Sequence, residues 1–413
     1  VRHGLGAEDP PPHPLALQRL ELFAVAAIAH DVVALGEHDD VLADIARYVE
    51  RHPLDEAATA LENHLGLKDS NRDKLRADLA SLREAIAPGS QFLGYGPDAP
   101  LHLLVHAIRH RDLQRRRQLQ RRIRDSVQKL DALLQIEAAR EGKASADGTT
   151  AQHLDTNLLS SMLGNRAHGS VALSAERRAR IEDALAALRE WNDDAVLVRL
   201  VGRLDNPHFD AQEDIEVVDS SEPCVTASEL FERDAARYTR LFAALRIADL
   251  ERDDRYDPSI HDSWFAGFDW QAFSDEELQG ITRIVALVSA DYLAGDGLPS
   301  FSHLLGSRRP VHVISWVRAY DNPAVQQGEG PFDAYRFELA YFGVGHRQVV
   351  VAQTSAARHE DLLAGYDCAL GSNRTSLHLV NRGTQTKAER PILDPWFVAS
   401  AALESRAHPF LLV

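Results

Sequence analysis

Two short segments carry the residue types best suited to chemistry. Ser289-Ala-Asp-Tyr292 follows the apolar run Ile281 to Val288, and Tyr320-Asp-Asn-Pro323 follows the apolar run Val311 to Val317. An Asp after one strand and an Asn after the next, with a helix between them, would set a carboxylate and an amide oxygen side by side at one sheet edge. Such a pair suits Mg²⁺ bridging a diphosphate, because this hard cation takes a few protein oxygens and leaves the rest of its octahedron to phosphate and water. Asp and Asn also favour strand ends and turns, where their side chains bond to nearby backbone. An ordinary turn role therefore stands beside the metal role at both Asp291 and Asn322. A second acidic turn, Gly295-Asp296-Gly297, lies past the strand end and ranks below Asp291, a plain turn being its simpler reading.

The remaining candidates each have a structural rival. His346 and His359 could face a cleft, yet an isolated His is more often a hydrogen-bonded structural residue. Ser355 lacks the Gly-x-Ser-x-Gly elbow of a nucleophilic serine. The arginines from Arg109 to Arg124 fall on a predicted amphipathic helix, where a solvated face balanced by nearby acids competes with an anion or RNA surface. Trp264, Phe265, Phe268, Trp270 and Phe273 read as core or a domain contact.

The elements that must position these residues are regular after Gly280. Apolar runs at 281–288, 311–317, 348–352 and 376–380 alternate with predicted helices at 298–305, 333–342, 358–370 and 394–406, and Pro409 to Val413 begins a further strand. Strands separated by connections of roughly 20 residues imply right-handed crossovers and a parallel, doubly wound sheet covered on both faces. In such sheets ligands sit outside the carboxyl ends of the strands, which is where Asp291 and Asn322 fall. The fold class is thus α/β in the C-terminal part, preceded by a mostly α-helical region.

That earlier region is read in pieces. Residues 1–14 are Pro-rich and suit a linker. Over 15–192 the apolar residues recur at three- and four-residue intervals, as in Leu119, Ile123, Val127, Leu130 and Leu134, and again in Ile181, Leu185, Leu188 and Trp191, with Ser174 as the N-cap. The Gly/Ser/Thr/Asp stretch 141–150 reads as a flexible loop. From 193 onward the chain reads as the α/β domain, with short strands at Val196 to Val201 and Ile215 to Val218 and a helix from Leu230 to Leu250.

With 413 residues and 45% hydrophobic content the chain can bury more than one core. No stretch reaches the roughly 18 uncharged apolar residues of a membrane span, and the start lacks a signal-peptide pattern, so the expectation is a soluble, cytoplasmic protein. The net charge of -17 argues against general nucleic-acid binding. Two cysteines without a Cys-x-x-Cys leave no internal iron-sulfur cluster or zinc knuckle to expect. Val at position 1 and the apolar run at the other end suggest an excerpt of a longer protein.

Four segments carry a resemblance. Leu304-Leu-Gly-Ser-Arg-Arg-Pro-Val-His-Val313, Phe337-Glu-Leu-Ala-Tyr-Phe-Gly-Val-Gly-His346, Gln353-Thr-Ser-Ala-Ala-Arg-His-Glu-Asp-Leu-Leu-Ala-Gly365 and Ala402-Leu-Glu-Ser-Arg-Ala-His-Pro-Phe410 resemble, in order, the C-terminal thiamine-diphosphate-binding domain of pyruvate:ferredoxin and related 2-oxoacid oxidoreductases. The resemblance covers residues 280–413, and 15–280 resemble nothing comparable. It implies thiamine diphosphate and Mg²⁺ as cofactors, with Asp291 and Asn322 as metal ligands and Tyr292 and Ala324 beside them in the cofactor site. It also implies oxidative decarboxylation of a 2-oxoacid, electron transfer to ferredoxin or a similar acceptor through iron-sulfur clusters outside this chain, and a homodimer or multidomain setting. The catalytic residues are not assigned.

The sequence departs from the family pattern. Tyr292 stands where a Gly normally lets the backbone approach the diphosphate, and Pro323 after the Asn removes a backbone donor. The family's Cys-rich segment is missing, and its activating Glu belongs to a domain outside these residues. These departures describe an eroded site, so the alternative is a degenerate, non-catalytic domain that serves as a structural or subunit-contact module.

Overall fold

The computed structural model describes residues 98–145, 173–192, 196–204, 207–210, 212–317, 338–383 and 395–413, two short strands at 32–34 and 92–94, and Asp73 and Ala77. In chain order the elements are β1 (Val32–Ala34), β2 (Phe92–Gly94), α1 (Ala99–Ser145), α2 (Ala175–Glu190), β3 (Val198–Val201), α3 (Pro207–Asp210), β4 (Ile215–Val218), α4 (Pro223–Arg252), α5 (Pro258–Ala266), α6 (Asp275–Gln279), β5 (Arg283–Ser289), α7 (Ala290–Ala294), α8 (Leu298–Gly306), β6 (Val311–Val317), α9 (Leu339–Gly345), β7 (Val350–Ser355), α10 (His359–Gly371), β8 (Ser376–Asn381), α11 (Pro395–Glu404) and β9 (Leu411–Leu412). They form two compact units, the first from residues 1–110, 198–227 and 284–413, the second from 111–197 and 228–283. Among the described residues no helix is long and apolar enough to cross a membrane.

The first unit is an α/β layer structure on a seven-stranded sheet of order β4-β3-β5-β6-β8-β7-β9. Its central strands are buried along nearly their whole length, as apolar runs without alternation require. One face carries Val285, Leu287, Ile314 and Val380, which pack with Leu101, Leu104 and Ile108 at the start of α1 and with Leu362, Tyr366 and Leu370 of α10. On the other face α9 comes so close that a Cβ built on Gly343 would stand 2.9 Å from Val351 and 3.0 Å from Leu377. There too α11 receives the Ser355 hydroxyl on the carbonyl of Ala399, at 3.2 Å.

The lateral order is not the chain order, since β8 lies between β6 and β7. The strand at Pro409 to Val413 is also unlike its neighbours: β9 pairs antiparallel with β7, Leu411 facing Gln353 and Leu412 facing Ala352. The expected all-parallel continuation is corrected to a short antiparallel edge. The helix expected at 333–342 is observed at Leu339–Gly345, with 318–337 outside the described residues. The break expected from residue 141 is likewise shifted, because α1 continues through Ser145.

The chain leaves β3 toward β4 on one side, then returns through β5 toward β6 on the other, so the topological switch lies between β3 and β5. Arg283 N–H donates to Leu197 at the start of this pair, and Gly202 abuts Leu287 at its end, so the two strands run in the same direction. Gly202 has φ of +140°, and a Cβ there would stand 2.4 Å from the Leu287 carbonyl oxygen. Only glycine accommodates both the backbone angle and the close approach.

The second unit is helical. Ile123 and Leu130 of α1, Ile181, Leu185 and Leu188 of α2 and Leu241, Phe242 and Leu245 of α4 share one core with Phe268 and Phe273. Both helical stripes read from the sequence point into it, and Ser174 does cap α2, its hydroxyl accepting from Arg177 N–H at 3.2 Å. Aromatic rings run through this core in contact, Trp191 with Tyr238, Tyr238 with Phe242, and Phe242 with Phe273 at 5.0 Å. The aromatic group at 264–273 therefore serves largely as core and rim of this unit.

Buried charge in this unit is paired. Asp112 accepts from Arg283 Nε at 2.7 Å and Nη2 at 3.2 Å, both side chains being nearly inaccessible, and Arg115 adds a third bond at 3.1 Å. Two outcomes follow. Asp112→Ala strands the Arg283 guanidinium without its carboxylate and is expected to cost about 3–5 kcal/mol in urea unfolding. Gly202→Ala is expected to cost roughly 2–3 kcal/mol by backbone strain and contact; an unchanged urea midpoint for either variant would contradict the packing described.

Candidate functional site

The site suggested by topology is the carboxyl edge of the sheet, and β5 supplies its first residues. The strand ends at Ser289, whose hydroxyl accepts from Tyr292 N–H at 3.2 Å and thereby caps the short helix α7. Asp291 lies in the first turn of α7 and is exposed. The carbonyl of Tyr292 accepts from Gly295 N–H at 3.2 Å and from Gly297 N–H at 2.9 Å. These bonds curl the Gly295-Asp296-Gly297 turn back under the Tyr292 ring. A Cβ on Gly297 would stand 2.2 Å from the ring's Cε1, so the ring lies flush on that glycine. The phenol is pushed above its ordinary range by burial first, then by the negative charge of Glu222 and by Cys224 and Asp296.

Asn322 and Ala324, the other two cofactor-site candidates, lie outside the described residues, as does Pro323. Asp291 and Tyr292 are adjacent at the end of β5, where they were expected, with the tyrosine ring covering the turn that follows. Among the described residues no three His, Cys, Asp or Glu side chains group closely enough to hold a metal ion. Cys224 is buried, and burial pushes its thiol up to about 12, which leaves it protonated and unreactive at neutral pH.

At the ends of β7 and β8 side-chain oxygens are engaged by nearby backbone. Ser355 at the end of β7 donates to the Ala399 carbonyl and accepts from Ala357 N–H at 3.3 Å, so its hydroxyl is spent on backbone. Asn381 at the end of β8 accepts from Gly383 N–H at 2.8 Å through its side-chain oxygen. Next to it the Arg382 guanidinium stacks 4.1 Å from the Trp316 ring centroid and lies 3.7 Å from Asp98. Burial lowers the affinity of Arg382 for its proton, with Asp98 working in the opposite direction. His346 ends α9 with its ring against Phe342 and its Nε2 3.5 Å from the Ser302 hydroxyl, and His359 opens α10.

Four arginines of α1 have partners on other parts of the fold or in their own helix. Arg109 forms a bidentate pair with Asp214, at 2.6 and 2.7 Å, and also donates to Gln212. Arg115 meets Asp112, Arg116 donates to the Val196 carbonyl at 3.2 Å, and Arg122 pairs with Asp249 at 2.8 Å. Three of these four, Arg109, Arg115 and Arg122, meet acids, as the acid-balanced reading of this helix expects.

One polar group was overlooked in the sequence. His312 of β6 and His378 of β8 both meet the Ser376 hydroxyl, His312 through Nδ1 at 2.7 Å and His378 through Nε2 at 3.0 Å, all three fully buried. Tyr366 of α10 lies edge-on to His378, its ring centroid 5.0 Å away, and donates its hydroxyl to the Pro100 carbonyl at 3.0 Å. The signal was a histidine inside an apolar run on each strand, Val-His-Val and Leu-His-Leu. Buried among apolar neighbours at the amino-terminal half of the sheet, this group braces strands; it does not meet solvent or the carboxyl edge.

A scan against protein-family models gives no match to this chain, and a search of curated proteins gives none either.

The His378 environment has a consequence for pH. Burial pushes this imidazole from an ordinary 6.5 down to about 3. Between those values the unfolded chain binds a proton that the folded chain refuses, so the contribution is complete above about 6.5 and is lost as pH falls toward 3. Urea unfolding is expected to lose up to about 1.4 kcal/mol per pH unit from this group across that window. His378→Leu should flatten the slope by that amount, and an identical slope in the variant would disprove the assignment.

Proposed function

We propose that the α/β unit is a thiamine-diphosphate-type domain of the 2-oxoacid:ferredoxin oxidoreductase kind, retained as a structural, subunit-contacting module and not as a cofactor site. The observation that carries this reading is the Tyr292 ring lying on Gly297 at the end of β5. A diphosphate held at a strand end needs glycine backbone it can approach and open N–H donors. Here the phenol ring covers that backbone, and the N–H groups of Gly295 and Gly297 are both donated to the Tyr292 carbonyl. The contact role has its own support. Tyr341 on α9 is 73% exposed and Phe397 on α11 is 38% exposed. Both helices cover the same sheet face, since Gly343 meets Val351 and Ala399 meets Ser355 on alternate positions of β7. Exposed rings on one face are the usual material of subunit contacts.

A second reading keeps the enzyme, and exposed Asp291 favours it. Under this reading Asp291 and Asn322 would hold Mg²⁺, with Tyr292 and Ala324 beside the diphosphate. Thiamine diphosphate, when bound, supplies the attack on a 2-oxoacid, with electrons passing to iron-sulfur clusters and ferredoxin outside this chain. The chain's own part would be limited to holding the metal and excluding water.

Titration calorimetry with thiamine diphosphate and Mg²⁺ separates the two. The module reading expects no saturable heat from the protein, and expects Tyr292→Gly to fold normally. Saturable binding by the unaltered protein that Asp291→Ala removes would establish the enzyme reading in its place.

A further inference from the structure

Helix α5 is short and apolar, yet none of its residues is buried. Its formation is well explained: Asp257 caps it by accepting from Ser259 N–H at 2.9 Å, and Pro258 opens the first turn. Its exposure is the unexplained feature. Ile260 is 61% exposed and Trp264 41%. With His261 and Phe265 they form one wall of a cleft of about 490 Å³, and Arg246, Asp249 and Leu250 of α4 form the other. That volume falls within the roughly 300–1,000 Å³ of small-molecule sites, whose walls are apolar and aromatic with a few polar groups to fix orientation. All of the lining residues belong to the second unit, so the cleft is separate from the carboxyl edge discussed above.

The polar groups select the ligand. Each oxygen of Asp249 already accepts a bond, from Arg122 Nη2 at 2.8 Å and from Arg252 Nη1 at 3.1 Å, so two guanidinium groups offset its charge. Arg246 spends Nε and Nη2 on Glu277, and Nη2 also on the Ala272 carbonyl. Its Nη1 makes no hydrogen bond among the described residues. The guanidinium lies 5.3 Å from the Trp264 ring centroid. His261 Nδ1 lies 2.8 Å from Asp257 N–H and 3.0 Å from the Asp257 carbonyl; in the tautomer in which Nδ1 accepts from the N–H, Nε2 carries the proton and faces the cleft as a second donor. Aromatic walls with donors open and the carboxylate engaged call for a flat ring that carries acceptors and negative charge.

We propose that this cleft binds a planar aromatic carboxylate, its ring against Trp264 and Phe265 and its anionic group taken by Arg246 and His261. The test is calorimetry on the full chain with naphthalene-2-carboxylate, the neutral naphthalene-2-carboxamide and the cationic 2-naphthylmethylammonium. The carboxylate is expected to bind saturably, about 10-fold or more tighter than the amide, with the cation weakest. Ile260→Asp, at a position well outside the core, should weaken carboxylate binding by about 10-fold or more. His261→Phe keeps an aromatic wall and should reduce the preference for carboxylate over amide. The proposal is overturned by equal affinity for carboxylate and amide, by absence of saturable carboxylate binding, by binding that Ile260→Asp leaves unchanged, or by a preference that His261→Phe leaves unchanged. Thermal melts of both variants, matching the unaltered protein, accompany the titrations.

Discussion

The constraint on which the first unit depends is that its sheet is buried on both faces. Once α10 and the start of α1 cover one side and α9 and α11 the other, polar atoms within the strands are cut off from water, and each hydrogen bond they find inside the layer offsets part of that cost. The His312–Ser376–His378 group is a consequence: a hydroxyl that can donate to one imidazole and accept from the other joins β6 to β8 without needing a charge. The same burial keeps His378 neutral. In β5 the last residue, Ser289, is the exposed one, and Asp291 follows it at the surface.

The second unit solves a different problem, that of packing a strongly charged sequence into a helical core. Its answer is to bury carboxylates beneath arginines. Glu251 is 1% exposed and accepts from both Arg177 and Arg180. Glu277 takes two bonds from Arg246, and its side chain also closes the capping box of α6 by accepting from Ser274 N–H. Such pairs gain little net stability over an apolar core, but losing either partner leaves an unpaired buried charge. They therefore fix which helix lies against which more than they deepen the energy well.

Much of the fold was legible in the sequence for the same physical reason. Strands buried on both faces read as uninterrupted apolar runs, so 281–288, 311–317, 348–352 and 376–380 fall close to β5, β6, β7 and β8. Lateral order was not legible, because a crossover of given length can land on either side of a neighbour, and nothing in β7 itself reserves the space that β8 fills. The antiparallel β9 was hidden by its length of two residues. The start of α4 at Pro223 precedes the expected Leu230, since its first turns carry Thr226 and Ser228, which blur the periodicity. At the site, Asp291 and Tyr292 were legible as strand-end residues. The fold of the turn beneath the tyrosine was not, because it depends on Gly297 lacking a side chain and not on any residue that draws attention.

The turn that carries the proposed reading is internally consistent in a way that a chance side-chain placement would not be. Ser289 caps α7 and so fixes the direction in which Tyr292 leaves the sheet. The Tyr292 carbonyl then gathers the N–H groups of Gly295 and Gly297, the donors that an anion at this edge would otherwise take. Gly297 supplies the gap that the ring fills. Removing the phenol alone would uncover the glycine but would leave its N–H bonded to the carbonyl of residue 292. An anion cradle at this edge would need the backbone to refold as well. Closure of this edge thus rests on two features at once, the ring and the backbone turn beneath it, and both support the proposed reading of the unit as a module.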